Sequence, residues 1–317
     1  MKNTFFDFCS GIGGGRLGLE HCGLECVGHS EIDPNPAKTY ELFFGNYQNF
    51  GDLMKIEPST LPDFRYLIAG FPCQTFSIVG KREGFSDDRG QIIFGIQNIL
   101  QAKNPPFFLL ENVKGLLNHN RGKTLQTIVD SLTALGYIVR YRVLNSLDFG
   151  LPQMRERIYI VGIKNELYTH PFDFPQESGE GKIEEFLCDE TEEFDIQNPT
   201  FIKYLNNAYN KGKINLEEIL QEDYNVIDTR QSDCRIYPQK VPTLRTGRHG
   251  ILYTKDKKLK KLSSYEGLLL QGFPKNLAEK IKNLKNIENK ILSQVGNAMS
   301  VPVIEAIGKK IKEYDND

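Results

Sequence analysis

The chain has 317 residues and a formal net charge of −2, with 39 Lys and Arg against 41 Asp and Glu, and six cysteines at positions 9, 22, 26, 73, 188 and 234. That length accommodates one large core or a core with a smaller lobe, and the balanced charge excludes a globally polycationic binder, so a polyanion must be met by a local patch. There is no Cys-x-x-Cys spacing, no apolar run near the ~20 residues of a bilayer span and no signal-peptide core at the start, so the expectation is a reduced, soluble, cytoplasmic protein without zinc knuckle or disulfide framework.

Residues 1–163 alternate short apolar runs with segments of helical period, the pattern of a doubly wound, mostly parallel α/β sheet with helices on both faces. The first strand, Thr4 to Cys9, runs through Phe6-Asp-Phe-Cys-Ser-Gly-Ile-Gly-Gly-Gly15 into a helix over Gly14 to Cys22. Glycines there let the backbone approach a ligand at the carboxyl edge of the sheet, although tight strand–helix packing alone also calls for such a turn. A strand over Glu25 to Ser30 ends at Glu31-Ile-Asp33, where an acidic side chain of a doubly wound fold takes ribose hydroxyls. A helix over Pro36 to Phe44 precedes another acid, Asp52 in Phe50-Gly-Asp-Leu53. The three segments outline a nucleoside-shaped pocket without saying which nucleoside.

The strand Tyr66 to Phe71 opens onto Gly70-Phe-Pro-Cys-Gln74. A thiol set after a proline, at the end of an apolar strand and before a polar loop with glycines at 80, 84 and 90, is displayed to a pocket. Cys73 is therefore the candidate nucleophile, and the loop to Gly90 a candidate lid. A helix over Gln91 to Ala102 leads to a strand over Pro106 to Glu111 that ends in Glu111-Asn-Val113. A carboxylate at the end of a buried strand is costly to desolvate unless it has a partner or a task. After a helix over Lys123 to Leu135 and a strand over Ile138 to Asn145, Gln153-Met-Arg-Glu-Arg157 enters a strand over Arg157 to Ile163. Strand alternation points Gln153, Arg155 and Arg157 to one side, as two guanidinium forks beside Cys73 and Glu111.

From about residue 165 the character changes: 177–195 is acidic and 230–261 basic with Gly and Pro punctuation, as in a smaller lobe of loops and short strands. Helical period returns over Asn276 to Asn289 and Val301 to Tyr314, separated by the turn Val295-Gly-Asn-Ala-Met299, and the last helix is expected to rejoin the first lobe.

In this order the turn 7–15, Glu31, Asp52, Gly70-Phe-Pro-Cys-Gln74, Glu111-Asn-Val113, Gln153-x-Arg-x-Arg157, Thr243-Leu244 and Gly296-Asn-Ala298 resemble the bacterial DNA (cytosine-5)-methyltransferases of restriction–modification systems, over essentially the whole chain. The resemblance implies an S-adenosylmethionine-dependent methyltransferase fold. Its catalytic and cofactor-binding domain would span 1–164 and about 290–317, a loop- and strand-rich DNA-recognition domain 165–262, and a connecting segment 263–289. Cys73 would add to carbon 6 of a cytosine rotated out of duplex DNA, while Glu111, with a raised pKa, protonates ring nitrogen 3. Arg157 would hold the base through its carbonyl oxygen and Arg155 order the Cys73 loop or flanking phosphates, with Gln74 completing the catalytic set.

For the cofactor, S-adenosylmethionine with S-adenosylhomocysteine as product and no metal, the resemblance implies Ser10, Gly11, Ile12 and Gly13 at the amino-acid end. It places Glu31 on the ribose, Asp52 and Leu53 at the adenine edge, and Asn297 and Ala298 on the methionine side, with Cys9, Ile32, Gly70, Pro72 and Ile92 completing the pocket. Cys9 and Ile32 stand where the family commonly has aromatic or larger apolar residues, so adenine stacking is expected to be weaker or differently shared. Ser77, Lys81, Arg82 and Arg89 would meet DNA from the loop, and Thr243, Arg245 and Arg248 from the basic stretch. The implied partners are double-stranded DNA and a restriction endonuclease paired in function without a stable complex, the enzyme itself being a monomer. Two other readings are a tRNA cytosine-5 methyltransferase on the same scaffold and a nucleotide-dependent oxidoreductase. The long 165–242 region favours duplex DNA over tRNA, and the turn lacks the full Gly-x-Gly-x-x-Gly spacing of the oxidoreductases.

Overall fold

The computed structural model describes residues 3–71, 92–188, 190–229, 235–247, 249–282, 284 and 287–316. Two compact units divide the chain, one of Met1–Asn145, Glu156–Gln176 and Met299–Asp317, the other of Ser146–Arg155 and Glu177–Ala298. In chain order the elements begin β1 (Thr4–Phe8), α1 (Gly14–Glu20), β2 (Glu25–Ser30), α2 (Pro34–Phe44), β3 (Tyr66–Gly70), α3 (Ile92–Lys103), β4 (Phe107–Val113), α4 (Lys123–Ala134), β5 (Tyr137–Asn145), β6 (Gln153–Met154) and β7 (Glu156–Lys164). They continue with α5 (Pro199–Leu205), α6 (Leu216–Ile219), β8 (Asn225–Asp228), β9 (Ile236–Pro238), β10 (Val241–Pro242), β11 (Ile251–Lys255), β12 (Lys258–Lys261), α7 (Ser264–Leu269), α8 (Lys275–Lys282), α9 (Glu288–Asn297) and α10 (Val301–Asn316).

The first unit is built on a six-stranded sheet of order β2-β1-β3-β4-β7-β5. Strands β1 to β4 are parallel, and β7 runs antiparallel to both β4 and β5. Phe5, Phe6 and Phe8 of β1, Leu67 to Ala69 of β3 and Phe107 to Leu110 of β4 are all buried, as expected for strands covered on both faces. Helix α4 buries Leu125, Ile128 and Leu132 at helical spacing, and α3 does the same with Ile93, Ile96 and Leu100. Helix α10 packs on α1, where a methyl group at Gly18 would lie 2.5 Å from Ile304 Cβ. From β1 the chain moves out to β2 and then returns to β3 on the other side of β1. That reversal opens a crevice at the carboxyl ends of the strands, the place where open α/β sheets bind ligands.

The second unit holds a four-stranded antiparallel sheet, β12-β11-β8-β9, and a two-residue parallel pair between β6 and β10. Phe201 and Tyr204 of α5 and Ile219 of α6 join Ile227, Leu252 and Leu259 in its core. One helix was expected over Asn276 to Asn289, but two are found, and α9 runs through Val295 and Gly296, where a turn was expected, to Asn297. A glycine inside this helix is a packing device: a methyl group there would lie 2.5 Å from both Arg245 C and Thr246 N.

Beneath the Gly-rich turn lies a buried polar layer. Arg16 is buried, bonds Glu20 through Nε at 2.7 Å and lies over the rings of Phe44 and Tyr47 at 4.3 and 3.9 Å. Asp7, at 0 % exposure, has its carboxyl pushed up to about 8 by burial, against the lowering pull of Arg16. A carboxyl raised in the fold favours folding fully below its unfolded pKa near 3.8, and that contribution is lost as pH rises towards about 8. Asp7→Asn keeps the neutral shape. Its melting temperature relative to the parent is expected to climb from about pH 5 to about pH 8 and then level off, and a difference that ignores pH would mean Asp7 is not held protonated.

Candidate functional site

At the carboxyl edge of the first unit, the loop after β1 turns through left-handed backbone at Cys9 (φ 51°), Gly11 (φ 55°) and Gly13 (φ 86°). A methyl group at Gly13 would strike the Phe44 ring and one at Gly14 the Met299 carbonyl, whereas at Gly11 it would meet nothing within 4 Å. Gly13 and Gly14 thus serve packing, and Gly11 faces open space. Ile12 is buried, and Ser10 is anchored twice, its N–H on Ser30 O at 3.0 Å and its Oγ on His29 Nδ1 at 3.0 Å. The His29 ring stacks on Tyr40 at 3.8 Å, and burial, with the Arg16 charge, pushes its pKa down to about 4. The Cys9 thiol is pushed up to about 12 by burial and by the carboxylates of Glu31, Asp7 and Asp52, so it is no nucleophile at neutral pH.

Glu31 follows the end of β2. Its Oε2 accepts from Gly11 N–H and its Oε1 from Asp33 N–H, each at 2.8 Å, and the Ile32 amide also bonds the carboxylate. Burial raises its pKa, and the amides of Asp33, Gly11 and Ile32 pull it back. Ile32 is 70 % exposed beside it. Asp52 accepts from Met54 N–H at 3.0 Å, capping a short turn that buries Leu53, and half-buried Ile92 opens α3. An open glycine turn, a carboxylate aimed by backbone amides and an exposed apolar side chain fit a cofactor that carries a nucleoside.

Two parallel strands away, Gly70 pairs in register with Glu111. The Asn112 amide donates to Phe71 O at 2.9 Å, fixing the backbone just before Pro72. Pro72, Cys73, Gln74, Ser77, Lys81, Arg82 and Arg89 lie outside the described residues. Glu111 Oε1 lies 3.0 Å from Arg157 Nε, with side chains 10 % and 12 % exposed. Arg157 pairs with Val113 and Tyr159 with Glu111, so acid and guanidinium are diagonal neighbours on one face of the sheet.

The alternation expected to bring Arg155 alongside Arg157 does not hold. β6 stops at Met154, and Arg155 N–H donates to Gln153 O at 3.0 Å in a tight turn that interrupts the extended chain before β7. Arg155 belongs to the second unit, is 2 % exposed, and donates to Leu244 O and Gly296 O at 3.1 Å and to Ala298 O at 2.8 Å. Two of these carbonyls end α9, where the helix dipole favours a cation. Gln153 joins the same knot, accepting Leu244 N–H at 3.1 Å and donating to Leu270 O at 2.8 Å. Thr243 Oγ1 donates to Met154 O at 2.6 Å, and Asn297 Oδ1 accepts from Thr246 Oγ1 at 2.7 Å. Arg245 is exposed, and Arg248 lies outside the described residues. His29, Asn49 and Asn112 were not singled out from the sequence. Only the adjacency of Asn112 to Glu111 could have signalled one of them.

Among the described residues no group of three or more His, Cys, Asp or Glu could hold a metal ion, and no helix is long and apolar enough to cross a membrane. The C-5 cytosine-specific DNA methylase family matches residues 3–313. The type II methyltransferase M.BsuFI of Bacillus subtilis is 38 % identical, over 99 % of this chain and 73 % of its own. M.HaeII of Haemophilus aegyptius is 40 % identical over 95 % of this chain and 90 % of its own. Among solved structures, the S. pombe Dnmt2 methyltransferase superposes with a TM-score of 0.70 at 19 % identity, covering 99 % of this chain and 98 % of its own. A Spodoptera frugiperda DNMT2 variant superposes at 0.69, also at 19 % identity, covering 98 % and 99 %. These two likenesses carry the fold, a mixed α/β sheet consistent with that of the S-adenosylmethionine-dependent methyltransferases. The match across nearly the whole length and the identity to full-length relatives place this chain in the C-5 cytosine-specific DNA methylase family.

Proposed function

We propose that this DNA cytosine-5 methyltransferase works through a covalent adduct between Cys73 and carbon 6 of a cytosine rotated out of duplex DNA. The observation that carries this reading is the Glu111–Arg157 pair, held at 3.0 Å on the sheet edge where Gly70 and Phe71 lead the chain towards Cys73. Carbon 5 of cytosine is too weak a nucleophile to take a methyl group until the ring is made electron-rich. Addition of the Cys73 thiolate at carbon 6 does that, and Glu111 protonates ring nitrogen 3 as negative charge develops. Arg157 orients Glu111 and reaches the base carbonyl oxygen. A stacked base exposes neither position, so the base must leave the helix.

S-adenosylmethionine, the cofactor the family's reaction requires, supplies when bound an electrophilic methyl group on a sulfonium sulfur. Ser10 to Gly13 with Glu31, Ile32, Asp52 and Leu53 are assigned to hold it, with Cys9, Gly70, Pro72, Ile92, Asn297 and Ala298 completing its site. Catalysis is assigned to residues 1–164 and about 290–317, target recognition to 165–262, and a connecting role to 263–289. Arg155 acts there as a structural clamp. The Thr243 hydroxyl is engaged with Met154, so Arg245, exposed, and Arg248 are the stronger candidates for phosphate or base contact. The enzyme acts as a monomer on double-stranded DNA, and a restriction endonuclease of the same site is its functional counterpart, as the type II names of its relatives suggest.

With tritiated S-adenosylmethionine, label is expected in cytosines of duplex DNA and not in tRNA, and Cys73→Ala is expected to lower the rate by ~10³-fold or more while retaining DNA binding. Activity within tenfold of the parent would remove Cys73 as nucleophile. Glu111→Gln should keep the fold and lose about 10²- to 10⁴-fold in kcat, the range of a general acid, and an unchanged turnover number would reject that role. Duplex DNA with 5-fluorocytosine at the target should form a denaturant-resistant protein–DNA complex on gels, since fluorine at carbon 5 blocks the last elimination. Its absence in the active enzyme would argue against the adduct.

A further inference from the structure

We infer that Asn49 is a positioning residue for the cofactor, acting through Glu31. This rests on the assignment of Glu31 to the cofactor ribose. Strand β2 is an edge strand and ends at Ser30, so the backbone of Glu31 lies beyond the regular ladder, yet its carboxylate must hold one direction to serve as a fixed acceptor. The carboxamide of Asn49 supplies the missing pairing. Its Oδ1 accepts Glu31 N–H at 2.9 Å and its Nδ2 donates to Glu31 O at 3.0 Å, so both backbone polar groups of Glu31 are held by one side chain. The same Oδ1 accepts Gly51 N–H at 2.9 Å, next to Asp52. One planar group therefore ties the segment assigned to the ribose to the segment assigned to the adenine edge.

The surrounding loop is suited to bear that load. Asn49 forms an isolated parallel bridge with His29, and Phe50 N–H donates to His29 O at 2.9 Å. The His29 ring, bonded to Ser10 Oγ on the turn after β1, also hydrogen-bonds the Tyr47 backbone. The Tyr47 ring in turn lies under the Arg16 guanidinium at 3.9 Å. Loop 45–51 is thereby fastened to both neighbouring ligand loops, and Asn49 is its link to Glu31. Alanine at this position removes three hydrogen bonds from an exposed loop and fills or empties no core, so the effect falls on the direction of Glu31 more than on the fold.

The test is a double-mutant cycle read by calorimetric titration of S-adenosylhomocysteine into the parent, Asn49→Ala, Glu31→Ala and the double variant. Glu31→Ala and Asn49→Ala are each expected to weaken binding by about five- to thirtyfold, and the double variant to bind within about twofold of Glu31→Ala. In turnover assays Asn49→Ala should raise the KM for S-adenosylmethionine and leave kcat within about twofold, with the ligand-free melting temperature within about 3 °C of the parent. Unchanged affinity in Asn49→Ala beside a weakened Glu31→Ala would overturn the inference and leave the role of Glu31 standing. Additive losses would also overturn it, since Asn49 would then act independently of Glu31. Unchanged affinity in Glu31→Ala would remove the underlying assignment itself.

Discussion

Strand β7 runs against β4, and that one reversal puts the beginning of a strand beside the end of its neighbour. Arg157, the second residue of β7, therefore faces Val113, the last of β4, and reaches diagonally to Glu111. In an all-parallel sheet the start of β7 would lie at the opposite edge, roughly 20 Å away for strands of this length. A carboxylate as enclosed as Glu111 is costly to hold without a partner, and removing one member of such a pair costs more than the pair itself contributes. The antiparallel strand is thus what allows an acid to stand at this edge, with its direction set by sheet register and not by a loop.

The two arginines of Gln153-Met-Arg-Glu-Arg157 show how one break in an extended chain separates duties. Had the strand been continuous, both guanidinium groups would share a face. The turn at Arg155 sends its side chain to the carbonyls of Leu244, Gly296 and Ala298, while Arg157 enters the sheet. Planar geometry and five donors let one buried arginine collect three backbone acceptors from two segments far apart in sequence. A lysine, with a compact ammonium and three donors, could not span the same set. The Thr243-Leu244 and Gly296-Asn-Ala298 motifs therefore meet through Arg155, and Gln153 adds a second bond to Leu244.

Much of the first unit was legible because its strands are continuous apolar runs bounded by glycine or acid, and its helices repeat apolar residues at helical spacing. The carboxyl-edge positions of Glu31 and Glu111 followed from that pattern alone. What stayed hidden depends on side chains that substitute for backbone. Asn49 completes a ladder beyond the end of β2, Asn112 clips Phe71, and Arg155 caps α9, and none of these has a periodicity to betray it. The end of α9 was misplaced for a related reason: Gly296 reads as a turn residue, yet it is there so that the backbone at Arg245 and Thr246 can lie against the helix. Distant contact, not local propensity, decides such positions.

The groups under the Gly-rich turn carry little charge of their own at neutral pH. Burial moves Asp7 up to about 8, His29 down to about 4 and Cys9 up to about 12, so each is held in its neutral form. Arg16 keeps its charge but shares it with Glu20 and with the faces of Phe44 and Tyr47. Above this layer stand the amides of the turn and the carboxylate of Glu31, which accepts Gly11 N–H. On the proposed assignment of Glu31 to the ribose, its carboxylate meets neutral hydroxyl donors through hydrogen bonds, whose strength depends on direction. Gly11 and Asp33 hold the carboxylate of that glutamate, and Asn49 holds its backbone.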